Sequence, residues 1–408
     1  MTLLLRKILA LNWLLVLVAV GLAVFGVVAI YSAGNNPAWE NTPAAIAEAW
    51  KKQRIWIGVG LVVFFTTALI DYRWLKWVGI PMYLASVILL VVVALQGEEI
   101  GGSKAWLSIA GFSFQPSQLA IASGIILLSM IMAFLPGLHK WLVHPFIRLL
   151  VAGAFAFLPF ALVLVGGGDV GSAAVWIPTT AAILLVGNCP FRYLIAIGLL
   201  AAMILPWFYY FGLSDTRKAR IEDWIALRKG EEVDTQGTAY APYNVVRAIG
   251  SAGWEGKGFL STHSIHALGL IPKDTAINDF VFAVIAEEFG FTGGSLLILA
   301  LVFLVLLCLY VAFYSGDEFG RLLVAGVVAL LFMHVYQNIG MCLLQVPITG
   351  IPLPLVSYGG TFAVVIFFLL GVVQSVWIHR GGGFEAEEEI EIAPPQQYVA
   401  PGHINYGL

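Results

Sequence analysis

The sequence predicts an all-α polytopic membrane protein of about ten transmembrane helices. Of its 408 residues, 60% are hydrophobic and only 11% charged, whereas an ordinary soluble domain is about one quarter charged. Apolar runs of roughly 17 to 25 residues recur along the chain, the length a helix needs to cross hydrocarbon. A soluble helical bundle of this size would need polar faces on its outer helices, and they are absent. The formal net charge of −3 leaves no basic surface for nucleic acid. Cys189, Cys308 and Cys342 are scattered without metal or disulfide spacing.

In chain order, apolar periodicity places spans at about 9–31, 55–70, 78–95, 119–134, 147–165, 173–186, 194–211, 280–313, 322–344 and 362–378. The first carries basic residues before its apolar run, as a signal peptide does. The run continues to Ala33 without a small-residue cleavage site, so a retained helix is expected. The segment GEEIGGSKAWLSIAGFSFQPSQ is expected as a Gly-rich loop, with Trp106 and Phe114 at an interface. Residues 212–278 form one long polar loop within a membrane domain covering 1–380. Its run RIEDWIALRKG fits a short surface helix with Trp224 and Leu227 inward. The eighth span is expected to break between Glu288 and Gly294. The Pro- and Gly-rich PITGIPLPLVSYGG cannot be a plain spanning helix. Glutamates and prolines after 381 predict a disordered tail, 381–408.

Ten spans put both ends on one side. Arg73, Lys76, Lys140, Arg192 and Arg321 fall on that side, with Arg6, Lys7 and Arg380. Lys51, Lys52, Arg54 and Lys104 fall on the other. The excess predicts cytoplasmic termini and an outward long loop.

Ionisable groups near membrane spans are functional suspects. Here they are Asp169, Asp279, Glu287 and Glu288. Asp279 opens the eighth span in NDFVFAV, either as a helix cap or as a general base at a cavity rim. Asn278 is an equally good cap, which frees Asp279 for chemistry. On a regular helix Glu287 lies about 80° from Asp279 and Glu288 about 180°, so Glu287 is the better candidate to line the same cavity. Either acid alternatively holds a cation or caps the broken segment at Gly290. His263 and His266 lack a third ligand for a metal site. Ser357 and Tyr358, with Asn338 and Gln345 nearby, are placed to form a far wall. No Gly-rich loop ending in Lys-Ser/Thr and no HExxH pattern occurs. An outward polar cavity in an apolar bundle suits an enzyme acting on a lipid-linked substrate or a transporter.

The blocks GSKAW and FQPSQ (102–118), GDVGSA (168–173), AIGSAGWEGKGF (248–259), NDFVFAVIAEEFG (278–290), NIGM, and PITGIPLPLVSYGG (347–360) occur in an order that resembles the SEDS family (shape, elongation, division and sporulation proteins). The ITGIPLP run is similar to the RodA-type elongation branch rather than the FtsW-type division branch. The resemblance implies a ten-helix bundle with a large extracellular loop between helices seven and eight, in the bacterial cytoplasmic membrane. The implied activity is peptidoglycan glycosyltransfer, in which lipid II is polymerised into glycan strands and undecaprenyl diphosphate is released. A division-type enzyme and a lipid-linked precursor transporter or flippase are the alternatives.

The family's essential aspartate matches Asp279, and its glutamate pair matches Glu287 and Glu288. Its Gly-Lys-Gly turn matches Gly256, Lys257 and Gly258, and its Ser-Tyr-Gly-Gly block matches 357–360. The resemblance implies that Asp279 is the catalytic base. Lys257 or Arg247, with Lys104 a weaker candidate, or a divalent cation such as Mg or Mn, would offset diphosphate charge. No nucleotide is implied. A class B penicillin-binding protein, the crosslinking transpeptidase, is the implied partner. Gln118 and Ile121 depart from the family's glutamate and lysine. Losing both together leaves no orphan charge.

Overall fold

The computed structural model describes residues 2–100, 103–109 and 112–381. The expected tail lies outside them apart from Gly381. The main helices are α1 (Leu3–Leu9), α2 (Trp13–Gly34), α3 (Ala49–Leu69), α4 (Leu75–Gln96), α5 (Pro116–Phe134), α6 (Pro145–Ala161), α7 (Val170–Val186), α8 (Phe191–Trp207), α9 (Asp215–Lys229), α10 (Tyr240–Gly250), α11 (Val281–Phe313), α12 (Glu318–Cys342) and α13 (Gly360–Ile378). Among the described residues nine helical segments are long and apolar enough to cross a membrane, and α7 is a shorter apolar tenth. The chain is a multi-pass, all-α membrane bundle.

Two segments differ from expectation. The first span does not run on from residue 9. It breaks after α1, and Asn12 starts a new helix by accepting the Leu15 N–H at 3.2 Å. Gln374, on the last helix, accepts the Asn12 N–H (3.0 Å) and donates to its carbonyl (2.9 Å). These bonds satisfy backbone that the break would otherwise leave unpaired. Secondly, the expected Gly-rich loop forms three antiparallel strands, β1 (Glu98–Ile100), β2 (Ser103–Ile109) and β3 (Phe112–Phe114), in the order β1-β2-β3. Glu98 pairs with Trp106 and Leu107 with Phe114. The Lys104 N–H then hooks β2 to the Gly167 carbonyl at 2.9 Å.

Helices α5, α12 and α13 are largely buried, whereas α8 has no buried residue. By alternation of the spans, the ends of α2, α4, α6, α8 and α12 and the starts of α3, α5, α7, α11 and α13 share one end of the bundle. At the other end, Tyr72 donates to Asp317 Oδ2 at 2.7 Å, and Arg73 Nε reaches the same oxygen at 3.3 Å.

The expected break in the eighth span falls at Gly290, whose φ of 66° and ψ of −164° leave the helix. A Cβ there would stand 2.3 Å from the Gly256 nitrogen, so the two segments cross where only glycine fits. The 253–258 turn replaces the lost helical bonds. Lys257 and Gly258 N–H groups donate to the Glu287 and Glu288 carbonyls (2.9 and 3.0 Å). Phe291 and Thr292 N–H groups donate to the Gly253 and Trp254 carbonyls (2.9 and 3.2 Å).

Candidate active site

Asp279 sits two residues before α11. Three successive carbonyls around it are each held by a different donor. The Tyr358 N–H donates to Ile277 O (2.9 Å), Ser357 Oγ to Asn278 O (2.5 Å), and Asn338 Nδ2 to Asp279 O (2.8 Å). Ser357 is itself fixed, because its Oγ accepts the Leu353 N–H at 2.8 Å and its carbonyl accepts Gln53 Nε2 at 3.3 Å. The backbone of Asp279 is therefore pinned from α12, from the 351–358 loop and, through Gln53, from α3. Its carboxylate accepts no hydrogen bond from any described residue.

The gap between the carboxylate and the Gly350 backbone forms a narrow slot. Gly350, with φ +69°, flanks it so closely that a Cβ there would lie 3.3 Å from Asp279 Oδ2. Next along that wall, a Cβ on Gly171 would lie 2.5 Å from the Thr349 carbonyl, which brings the start of α7 alongside. There Asp169 caps α7, accepting from the Ser172 N–H (2.9 Å), Ser172 Oγ (2.6 Å) and Gln115 Nε2 (3.2 Å). Two bonds tie helix α9 to this region. Arg217 Nη2 donates to the Gly168 carbonyl at 2.7 Å, and Trp224 Nε1 to Leu344 O at 2.9 Å. Arg220, one turn from Arg217 on the same face, supplies the positive charge that bears on Asp279.

Asp279 is only half-buried by surface area, yet crowding strips much of its water. Burial, then the charges of Asp169 and Asp274, push its carboxyl up to about 7, and Arg220 opposes them. Burial also raises Asp169, against its bonds to Ser172 and Gln115. A carboxylate half-ionised near neutral pH suits a general base.

The glutamate pair has a different position. Glu287 is fully buried, and its Oε1 accepts from Lys257 Nζ (2.7 Å) and the Ile265 N–H (2.5 Å), while Oε2 accepts the His266 N–H (3.1 Å). Glu288 accepts from Ser32 Oγ and from the Leu260 N–H (3.1 Å). Together they fasten the 257–266 loop to the bundle. His266 completes that corner: its Nε2–H donates to Ala33 O at 2.9 Å, and its ring meets Trp39 edge-on. Burial holds it down to about 4, hence neutral. Lys257 is thereby committed to Glu287, and the charges bearing on Asp279 come from Asp169, Asp274 and Arg220 instead. Lys257→Met is expected to lower stability by about 2 kcal/mol, because it removes one partner of a largely buried pair. A melting curve checks this, and an unchanged midpoint would contradict it.

Ser357 and Tyr358 join Asp279 through the backbone bonds above. Lys104 is exposed and, with Asp169 and Ser117, lines a cavity of about 10 Å³. Arg247 packs over the Tyr243 ring (5.3 Å) and donates to Asn244 Oδ1 (3.5 Å). Sequence reasoning missed Arg217 and Arg220. Their i,i+3 spacing just ahead of Trp224 was the available signal. Among the described residues no three His, Cys, Asp or Glu gather as a metal cage. The Asp279 carboxylate, with Asp169 close enough to bear on its charge, is the oxygen-donor set that would hold a divalent cation together with a substrate diphosphate.

The sequence profile of the FtsW/RodA/SpoVE family, described as cell cycle proteins, matches residues 12–381. The peptidoglycan glycosyltransferase MrdB of Escherichia coli K12 is 30% identical over 326 residues, covering 79% of this chain and 84% of that protein. A probable peptidoglycan glycosyltransferase FtsW of Trichlorobacter lovleyi is 30% identical over 370 residues, covering 89% and 92%. A chain of a solved peptidoglycan synthase complex, in which polymerization and crosslinking are coordinated, shares the fold with a TM-score of 0.73 at 24% identity. That match covers 91% of this chain and 99% of the other. With the profile spanning nearly the whole membrane domain, the chain belongs to the FtsW/RodA/SpoVE (SEDS) family.

Proposed function

We propose that the protein is an inverting peptidoglycan glycosyltransferase that polymerises lipid II, with Asp279 as its base. One observation carries this reading: a backbone-pinned carboxylate without a donor among the described residues, poised near neutral pH, stands against Gly350 and within reach of the Arg220 charge. In the proposed step the 4-hydroxyl of the acceptor N-acetylglucosamine attacks the anomeric carbon of the donor N-acetylmuramic acid. Its proton passes to Asp279. The anomeric C–O bond breaks, and its electron pair leaves with undecaprenyl diphosphate, turning an α-linked sugar into a β-linked one. Diphosphate is a good leaving group, so one carboxylate suffices where a glycosidase needs two. Arg220, with Arg217 beside it, is placed to offset the leaving charge.

We assign the elongation role on the ITGIPLP block. The solved synthase complex supports a crosslinking transpeptidase of the class B penicillin-binding type as partner. The charge bias along the chain supports cytoplasmic termini and an outward Asp279. Helix α8, apolar and free of buried side chains, offers a flank for the lipid chain. Purified protein with lipid II, products sized on a gel, tests the function. Glycan ladders support it. Lipid II moved across a vesicle membrane without any polymer would replace it with a transporter.

A further inference from the structure

We infer that Asn338 is the positioning residue for Asp279, a strap that sets the width of the catalytic slot. This rests on the reading of Asp279 as the base. Asn338 lies on α12 and is fully buried. Its Nδ2 donates to two carbonyls at once, Asp279 O at 2.8 Å and Ile351 O at 2.7 Å. Those carbonyls belong to opposite walls. One is the residue bearing the carboxylate. The other follows Gly350, where a Cβ would lie 3.3 Å from Asp279 Oδ2. A single amide thus ties the base to the wall it faces.

Both acceptors are carbonyls, which only accept, so the amide orientation is fixed with nitrogen toward them. Its oxygen, Oδ1, is left buried without a donor among the described residues. Neither Ser357 nor the Tyr358 N–H does the same work. Each holds a carbonyl before Asp279, and neither spans to Gly350 or Ile351.

The test uses the full-length protein in detergent or nanodiscs with lipid II, with rate followed against substrate concentration and pH. Asn338→Ala is compared with Gln374→Ala, which removes another buried double-bonded amide far from the slot. Asn338→Asp, close in shape, serves where the alanine variant does not fold. The expected result is a fall in kcat of at least tenfold with KM within about twofold. The midpoint of the pH–rate profile moves to lower pH as water enters the widened slot and Asp169, Asp274 and Arg220 act on a better solvated carboxylate. Gln374→Ala lowers the melting temperature while keeping wild-type kcat. Wild-type kcat and midpoint in the Asn338 variants, or a lower melting temperature with kcat unchanged, overturns the inference. Asp279→Asn in the same assay separates the two claims. If it stays active, the base assignment fails. If it is inactive while the Asn338 variants match wild type, only the strap fails.

Discussion

Asp279→Asn is expected to lower the rate of lipid II polymerisation by about 10²- to 10⁴-fold, the contribution of a positioned general base. The substitution keeps the backbone bonds from Tyr358, Ser357 and Asn338, since all three reach carbonyls rather than the side chain. The fold should therefore persist, and linkage gives a signed check. The folded-state pKa is raised, from 3.8 to about 7, so the folded protein binds the proton more tightly than the unfolded chain. Stability contributed by the protonated form is full below about pH 4 and is lost as pH rises toward 7. Asparagine carries no such dependence. The variant should melt higher than wild type at pH 8 and close to it at pH 4. Near-wild-type polymerisation would remove Asp279 from the reaction, and a melting temperature well below wild type at pH 8 would show a structural role instead.

Glu287→Ala should be the most damaging substitution for stability, roughly 3–5 kcal/mol. It strands the Lys257 ammonium and the Ile265 and His266 N–H groups, all gathered on one fully buried carboxylate. The 257–266 loop then loses its main anchor, and the Gly256–Gly290 crossing beside it loosens. Hydrogen exchange reads this directly, with protection of the Ile265 and His266 amides expected to fall. Glu287→Gln keeps an acceptor for one of those amides and should lose less. Equal melting temperatures for wild type and Glu287→Ala would contradict this account of the pair.

Much of the fold was legible because the bilayer imposes a length. Among the described residues the ten apolar runs coincide with nine helices of spanning length and with α7, which is shorter. The break near Glu288 was readable because the run contains glycines that a helix cannot use well, and it falls at Gly290. The strands at 103–109 were hidden behind flanking glycines, although SKAWLSI alternates as a strand does. The gap before Asn12 is held by Gln374, 362 residues away, and local periodicity carries no such information. Asp279 was legible because the sequence offers Asn278 as an equally good cap and so leaves a carboxylate unexplained; in the structure neither side chain caps α11, whose cap position is Phe280. Helical phase put Glu287 nearer the Asp279 side, but phase cannot say which loop folds back over a face, and here the 257–266 loop does. Arg217 and Arg220 went unseen because their charges reach Asp169 and Asp279 only once α9 docks through Trp224 onto Leu344.

The pH dependence of polymerisation by the purified protein tests most directly whether Asp279 accepts the proton. Under saturating lipid II the rate should rise about tenfold per pH unit below 7 and level off above it, and Asp279→Asn should lack that rise. A wild-type rate that stays flat from pH 5 to 8 would contradict the account.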